Sequence, residues 1–132
     1  MKDNSKEIQI INYLDELYPD ARCELNYQKD YELLIATVLS AQCTDARVNK
    51  VTKVLWQKYD LFSLAEAPQK EIEKIIYPVG SYTKKASYLK TIASKLIKDY
   101  EGHVPNDREY LESLPGVGRK TCNVVLSNLY DI

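Results

Sequence analysis

The sequence predicts an all-α fold, a multi-helical bundle that ends in two helices joined by a glycine-containing turn. Apolar residues recur every three or four positions along nearly the whole chain, and the alternation typical of strands is hard to place. The connections are short and rich in capping residues, glycine and proline. With 132 residues, 45% hydrophobic and 28% charged, the chain has the size and composition of a small globular domain with one core.

The first half of the chain predicts three helices. An apolar stripe at helical spacing predicts the first, which ends at Pro19. Asp30 is expected to cap the second, which is apolar almost all round and therefore resembles a buried central helix. A polar break at 40–45, with Asp45 as the expected N-cap, precedes a one-sided third helix that extends to Tyr59. The stripe of the first helix consists of Ile8, Ile11, Leu14, Leu17 and Tyr18.

The second half predicts further helices with short connections. One starts with Pro68 at its first position, runs to about Ile76 and is closed by Gly80. Thr83 is expected to cap a longer helix whose lysines lie on its outer face. Asp107 opens a short helix before the glycine-containing turn, and a last apolar stripe predicts the final helix after that turn.

Composition and charge argue against several classes of protein. No apolar run reaches membrane-spanning length and the charged N-terminus does not resemble a secretory signal, so a cytoplasmic protein without membrane contact is expected. Three widely spaced cysteines, Cys23, Cys43 and Cys122, fit reduced thiols better than a disulfide frame or a metal site. The net charge of −1 opposes nucleic-acid binding unless positive potential is local, because phosphate affinity comes from cations.

The stretch 114–121, Leu-Pro-Gly-Val-Gly-Arg-Lys-Thr, has the chemistry of a backbone anion site. Gly116 and Gly118 permit backbone angles that a Cβ forbids and let another molecule approach the main chain. Pro115 stiffens the entry to the turn. Because the following helix points its first amides and its positive dipole end at the turn, a phosphate is the expected ligand. An ordinary glycine-containing turn between two helices is the alternative interpretation.

Three motifs in order resemble the endonuclease III family of DNA base-excision repair glycosylases. They are the turn at 114–121, the run at 33–45 followed by Val-Asn-Lys at 48–50, and Val-Pro at 104–105. The resemblance covers residues 32–126, which is most of the chain.

The resemblance implies a two-domain organisation that this chain completes only in part. Residues 22–132 would form a helical domain of the six-helix-barrel type with its helix-hairpin-helix at 107–130, and the helix within 1–21 would belong to a second domain. The family places a catalytic aspartate and four cysteines for a [4Fe-4S] cluster further beyond the hairpin, and Asp131 lies too close to be that aspartate. The chain is therefore expected to be C-terminally truncated, to hold no cofactor itself and to have severely reduced activity. The first helix, without its partner, is expected to form a homodimer.

By the same resemblance, Lys120 is the catalytic residue. In the family the matching lysine attacks the deoxyribose C1′ of a damaged nucleotide, typically an oxidised pyrimidine, and expels the base. A Schiff base forms, and β-elimination then cuts the DNA strand. An ordinary lysine, with a pKa of roughly 10.4, is almost entirely protonated near neutrality. The helix N-terminus, the neighbouring Arg119 and partial burial are expected to disfavour the ammonium. A lysine that only contacts a phosphate is the alternative.

The resemblance also implies that the turn binds double-stranded DNA with a damaged base or an abasic site. The turn residues are expected to hold the backbone of the damaged strand. Carbonyls of the hairpin are expected to bind a monovalent cation that bridges to phosphate and supplies local positive charge. The turn residues are Pro115, Gly116, Val117, Gly118 and Arg119, and the carbonyls are those of Glu112, Leu114 and Val117.

Gln42, Asp45 and Tyr82 are the other implied DNA contacts. Gln42 matches a residue that fills the gap left by a flipped-out nucleotide, and Asp45 is expected to shape the lesion pocket. A polar helix end and an N-cap are the structural alternatives for these two residues. Family members commonly carry a bulky aliphatic wedge where this chain has Ser81, which is too small for that role. Tyr82 is the candidate to stack on a base instead, and a plain surface tyrosine is the alternative.

Other functions compete with this one. The adenine-mismatch glycosylase branch of the same superfamily typically lacks the lysine and hydrolyses without a Schiff base, so Lys120 argues against it. A non-catalytic helix-hairpin-helix DNA-binding module would use the same turn without chemistry. A helical interaction protein without a DNA role is disfavoured by the three ordered motifs.

Overall fold

The computed structural model describes residues 24–130, and all of its regular structure within that range is helical. The helices are α1 Asp30–Leu39, α2 Asp45–Lys58, α3 Leu61–Glu66, α4 Gln69–Ile76, α5 Tyr82–Tyr100, α6 Arg108–Glu112 and α7 Arg119–Tyr130, with a 3₁₀ turn at Tyr77–Val79. The predicted all-α fold is confirmed. The predicted helix at 8–18 and the self-association expected through it lie outside the described residues, and the proposed domain boundary after residue 21 stays a prediction. Within residues 24–130 no helix is long and apolar enough to cross a membrane.

Helix α1 is the centre of the core, as its all-round apolar sequence predicts. Every residue from Tyr31 to Leu39 is buried. Four of its side chains, Leu33, Leu34, Ile35 and Leu39, are fully enclosed, and each such side chain contributes roughly 1.5–3 kcal/mol by leaving water. The helix packs against α2, α5 and α7. Helix α7, which follows the glycine-containing turn, is therefore fixed directly on the centre of the molecule.

The predicted cap at Asp30 is wrong by one position. Lys29 is the N-cap of α1 and makes no side-chain cap hydrogen bond, whereas Asp30 is the first helical residue. Its Oδ2 accepts a hydrogen bond from the Val104 amide at 2.8 Å. Asp30 therefore ties the segment after α5 to the start of the central helix.

Other helix ends follow the sequence more closely, although two of the predicted helix starts are displaced by one or two residues. Asp107 caps α6 as predicted and accepts from the Tyr110 amide at 3.1 Å. Pro68 is the N-cap of α4, one residue ahead of its predicted position. Helix α5 begins at Tyr82 rather than after Thr83, because Ser81 adopts a left-handed conformation immediately before it.

We expect the Cys122 thiol to report on the packing of α7. The residue is fully buried, and that burial raises the pKa of its thiol above the usual value. Near about pH 8 the reactive thiolate should therefore be scarce and inaccessible in the folded chain. Time-resolved labelling with a thiol reagent, followed by peptide mass mapping, should show Cys122 modified far more slowly than the partly exposed Cys43. Equal rates in the folded protein would contradict the packing of α7 on α1.

Candidate nucleic-acid interface

The glycine-containing turn between α6 and α7 is held in place by apolar residues on either side of an exposed glycine. Leu114 and Val117 are buried, and the Val117 amide donates to the Leu114 carbonyl at 3.2 Å. Gly116 between them has φ +81°, a conformation that favours glycine. The predicted helix-hairpin-helix is thus formed, and its tip is presented on the surface.

The two glycines of the turn have different physical roles. A Cβ on Gly116 would lie 2.7 Å from the Tyr88 ring and 3.1 Å from Val38, so this glycine lets the turn pack on α5 and α1. A Cβ on Gly118 would meet nothing within 4 Å. Gly118 therefore leaves open space above the backbone, which is what an approaching molecule requires.

Helix α7 opens directly behind this space. Its first helical hydrogen bond runs from the Cys122 amide to the Gly118 carbonyl at 2.9 Å, and the amides before it belong to the helix end, where anions are favoured. Arg119 and Lys120 are exposed at the start of the helix. The expected partial burial of Lys120 is wrong, because the residue is exposed. The amine is consequently accessible to a large substrate.

A cleft of ≈ 130 Å³ brings together three parts of the chain that are far apart in sequence. Gln42 comes from the α1–α2 connection, Ser81 from the start of α5 and Gly116 from the hairpin. The complete lining is Val38, Ala41, Gln42, Ser81, Lys84, Lys85, Tyr88 and Gly116. Lys120 and Asp45 do not line this cleft. The structure therefore joins the Gln42 motif to the hairpin and leaves the lysine on the adjoining surface.

Gln42 is exposed on the rim of the cleft with φ +58°. Left-handed backbone at a residue other than glycine is uncommon and concentrates at functional sites, where the surrounding structure holds it. Left-handed residues are also common just after the end of a helix, so this conformation is compatible with both predicted interpretations of Gln42, a DNA contact and a polar helix end.

Asp45 has a different neighbourhood from the one expected. Thr44, not Asp45, is the N-cap of α2 and accepts from the Arg47 amide at 3.2 Å, so the predicted cap is wrong. Asp45 is the first residue of α2, and its Oδ2 accepts from the Glu24 amide at 2.9 Å. Asn49 bonds the same segment by donating to the Glu24 carbonyl at 3.0 Å. Asp45 thus anchors the segment before α1, and its role at a lesion pocket stays a prediction.

Tyr82 is half-buried and pairs with a second tyrosine. Its ring centroid lies 4.8 Å from that of Tyr77 at an interplanar angle of 47°. Tyr77 is 63% exposed and is not among the residues that the sequence predicts for the site. Ser81, next to the pair, has φ +45°. The tyrosine pair therefore presents an aromatic surface beside the cleft at the position where the expected wedge is missing.

Lys85 is a further functional candidate, and its predicted position on the outer face of the helix is wrong. The lysines of α5 were expected on its outer face, and Lys84, Lys95 and Lys98 are exposed there, whereas Lys85 is only 5% exposed. Its Nζ donates to three backbone carbonyls. Its spacing of four, seven and eleven residues from Leu89, Ile92 and Leu96 puts it on the buried stripe, and that spacing was the available signal.

The described residues do not fit an iron–sulfur cluster. Such clusters are held by four thiolates, whereas the described residues include Cys43 and Cys122 as free thiols, one of them in the core. No group of three or more potential metal ligands occurs among residues 24–130. In the hairpin, the Leu114 carbonyl already accepts one backbone hydrogen bond, and the cation expected at Glu112, Leu114 and Val117 stays a prediction.

Within residues 24–130 the regular structure is helical, and the last two helices are joined by an exposed hairpin with open space above the backbone at Gly118. These features define a helix-hairpin-helix protein. The chain belongs to the HhH-GPD superfamily of base excision DNA repair proteins, whose family model matches residues 35–126.

Similar proteins confirm the resemblance to endonuclease III. The chain is 46% identical over 132 residues to the endonuclease III of a Synechocystis species, covering 99% of this chain and 59% of that relative. A solved non-covalent endonuclease III–DNA complex matches with 47% identity and a TM-score of 0.81, over 98% of this chain and 62% of the other. A trapped endonuclease III–DNA covalent intermediate with an estranged adenine matches with 45% identity and a TM-score of 0.80, over the same shares of the two chains, 98% and 62%. The chain thus spans 59% to 62% of the length of these relatives.

Proposed function

We propose that the protein acts in base excision repair as a DNA glycosylase and abasic-site lyase of the endonuclease III type, on double-stranded DNA with an oxidised pyrimidine or an abasic site. The observation that carries the proposal is the accessible amine of Lys120 at the start of α7, immediately beyond the open backbone of Gly118. A lysine amine beside a phosphate-binding turn is close to the sugar that the phosphate carries. The relatives' DNA complexes, one of them covalent, support the same assignment.

The chemistry assigned to Lys120 is nucleophilic catalysis. The lone pair of the neutral Nζ amine forms a bond to the deoxyribose C1′ while the bond from C1′ to the base breaks, and the base leaves with the electron pair and takes up the proton that Nζ gives up. The C1′–O4′ bond then breaks as the nitrogen lone pair forms the C=N bond of the Schiff base, and O4′ takes up a proton. Loss of a C2′ proton then moves electrons to break the C3′–O bond, so the 3′ phosphate leaves. Water finally hydrolyses the imine and frees Lys120. No step is assigned to an iron–sulfur cluster.

The hairpin and the cleft supply the binding that this chemistry requires. The Gly116–Gly118 turn and the first amides of α7 would hold phosphates of the damaged strand, with Arg119 adding charge. Gln42, on the rim of the cleft, would enter the space vacated by the flipped nucleotide. In a chain of net charge −1, the N-terminal end of α7 would supply the local positive potential that phosphate binding requires.

Borohydride trapping on a duplex with one abasic site tests the proposal. A Schiff-base enzyme gives a covalent protein–DNA adduct on reduction, and peptide mapping should locate the adduct at Lys120. Base release from a lesion duplex without an adduct would instead favour a hydrolytic glycosylase of the adenine-mismatch type. Salt-sensitive binding without either reaction fits a non-catalytic DNA-binding module, and it also fits the severely reduced activity expected of a chain without the family's aspartate. A longer chain that includes this aspartate separates the two: an adduct at Lys120 supports the lyase, and binding alone supports the module.

The Tyr77–Tyr82 pair should contribute to lesion binding. Stacking of a base on an aromatic side chain is worth about 1–3 kcal/mol, so Tyr82→Ala should weaken binding to a lesion duplex by about tenfold. Tyr77→Ala should act in the same direction, because Tyr77 supports the Tyr82 ring. Phe62→Ala, which removes an aromatic ring that is 56% exposed outside the cleft, is the matched control. Fluorescence anisotropy measures the affinities, and unchanged binding in both tyrosine variants would assign base contact to other residues.

A further inference from the structure

The ammonium of Lys85 joins three separate pieces of backbone beneath the cleft. Its Nζ lies 2.9 Å from the Leu39 carbonyl oxygen, 2.9 Å from that of Ala41 and 3.0 Å from that of Val79. An ammonium has three donors, and these three carbonyls use all of them. Burial lowers the pKa of Lys85 because the charged form loses water, which makes the three carbonyl bonds necessary to keep the charge inside.

Each of the three carbonyls belongs to a functionally distinct segment. Leu39 ends α1, and a cation is favoured at a helix C-terminus. Ala41 immediately precedes Gln42, in the segment 40–44 that we call the Gln42 loop. Val79 ends the 3₁₀ turn and immediately precedes the segment 80–82, which we call the Ser81 loop. One side chain therefore connects the central helix to both loops that rim the cleft.

Backbone strain is concentrated in the same two loops. Among residues 24–130 three residues other than glycine have positive φ, and two of them are Gln42 at +58° and Ser81 at +45°. Such conformations persist only where surrounding structure holds them. The Lys85 bonds to Ala41 and Val79 act one and two residues before these strained positions. An unrestrained loop at either place would relax, and the separation between Gln42 and Ser81 would change.

We propose that Lys85 is a positioning residue that fixes the Gln42 loop and the Ser81 loop at the separation needed to engage a duplex at a lesion. The inference rests on the proposed function, because it concerns the same DNA-binding face. Lys85 itself is buried and contacts no substrate. Lys85 affects how the two loops recognise a lesion. The affinity for intact duplex depends instead on the hairpin, at Gly118 and the start of α7.

The test compares Lys85→Met and Lys85→Arg with Lys98→Met in the 132-residue chain. Methionine removes the three donors. Arginine keeps the charge, but its planar guanidinium cannot direct three N–H groups from one nitrogen at three converging carbonyls. Lys98 is an exposed lysine on the same helix, so Lys98→Met matches the change in charge without touching the loops. Folding is checked by thermal melting and by protection of the Cys122 thiol.

Two readouts separate loop positioning from general stability. Anisotropy gives the ratio of affinities for a duplex with a tetrahydrofuran abasic analogue and for the same intact duplex. The fluorescence of 2-aminopurine opposite the analogue reports whether a side chain enters the helix. Below the melting temperature, Lys85→Met should lower the affinity ratio about tenfold and lose the 2-aminopurine signal, whereas its intact-duplex affinity stays within about twofold of wild type. Lys85→Arg should lower the ratio in part, and Lys98→Met should match wild type.

A folded Lys85→Met chain with the wild-type ratio and fluorescence signal would overturn the proposal. If Lys85→Met does not fold, Lys85→Arg decides alone: a wild-type ratio in that variant means that Lys85 serves only stability, and a lowered ratio supports the positioning role. A wild-type chain without preference for the abasic duplex would overturn the proposed function, and this inference with it. The two failures are therefore distinguishable.

Discussion

Lys120→Ala is expected to abolish borohydride trapping on an abasic duplex, with a loss of at least about a hundredfold in adduct yield, because no other group is assigned as the nucleophile. The affinity for the duplex should fall only by a few fold, since the turn amides and Arg119 still hold the phosphates. Lys120 is exposed, and surface substitutions usually change stability by no more than about 0.5 kcal/mol. Loss of the adduct would therefore report lost chemistry rather than lost folding.

Two controls make the Lys120 result specific. Lys120→Arg keeps the positive charge without a usable nucleophile, so it should bind like wild type and give no adduct. Lys53→Ala removes an exposed lysine on α2 and should trap like wild type. A wild-type adduct yield in Lys120→Ala would assign the Schiff base to a different amine, and peptide mapping of that adduct would identify it.

The helical architecture could be predicted because its signals are local. The all-round apolar sequence of 31–39 indicated a central helix, and that stretch of α1 is buried throughout. The caps at Asp30 and Asp45 were each predicted one position too late. An acidic residue is favourable both at the N-cap and in the first turn, so the sequence alone cannot choose between these positions. Their partners, the Val104 and Glu24 amides, are 74 and 21 residues away and settle the choice.

The site residues that belong to one short motif could be predicted from the sequence. Contacts between segments that are far apart in the sequence could not. The hairpin and Gln42 could each be identified from a short run of residues. The helical spacing of Lys85 could have placed it on the buried stripe, but its partners could not be predicted. Two of the carbonyls that it binds, at Leu39 and Ala41, are 46 and 44 residues away, and every residue type has a backbone carbonyl. The pairing of Tyr77 with Tyr82 depends in the same way on the bend of the 3₁₀ turn.

The two hairpin glycines give the second large expected effect. Gly116→Ala should destabilise the folded chain by about 3 kcal/mol, because alanine is strained at positive φ and its Cβ would overlap the Tyr88 ring. Gly118→Ala should leave stability within about 0.5 kcal/mol, because its Cβ would point into open space. Chemical denaturation measures both changes.

Both glycine variants should bind DNA more weakly, but only Gly116→Ala should also lose stability. If the phosphate backbone of DNA approaches the main chain at Gly118, the added methyl of Gly118→Ala must hold it off, and affinity should fall about tenfold or more in a fully stable protein. Gly116→Ala should lose affinity together with stability and with protection of the Cys122 thiol, because the turn itself is displaced. A stable Gly118→Ala chain with wild-type affinity would show that DNA does not reach this part of the backbone. That result would also contradict the proposed position of Lys120, two residues further along the chain, next to the sugar that it attacks.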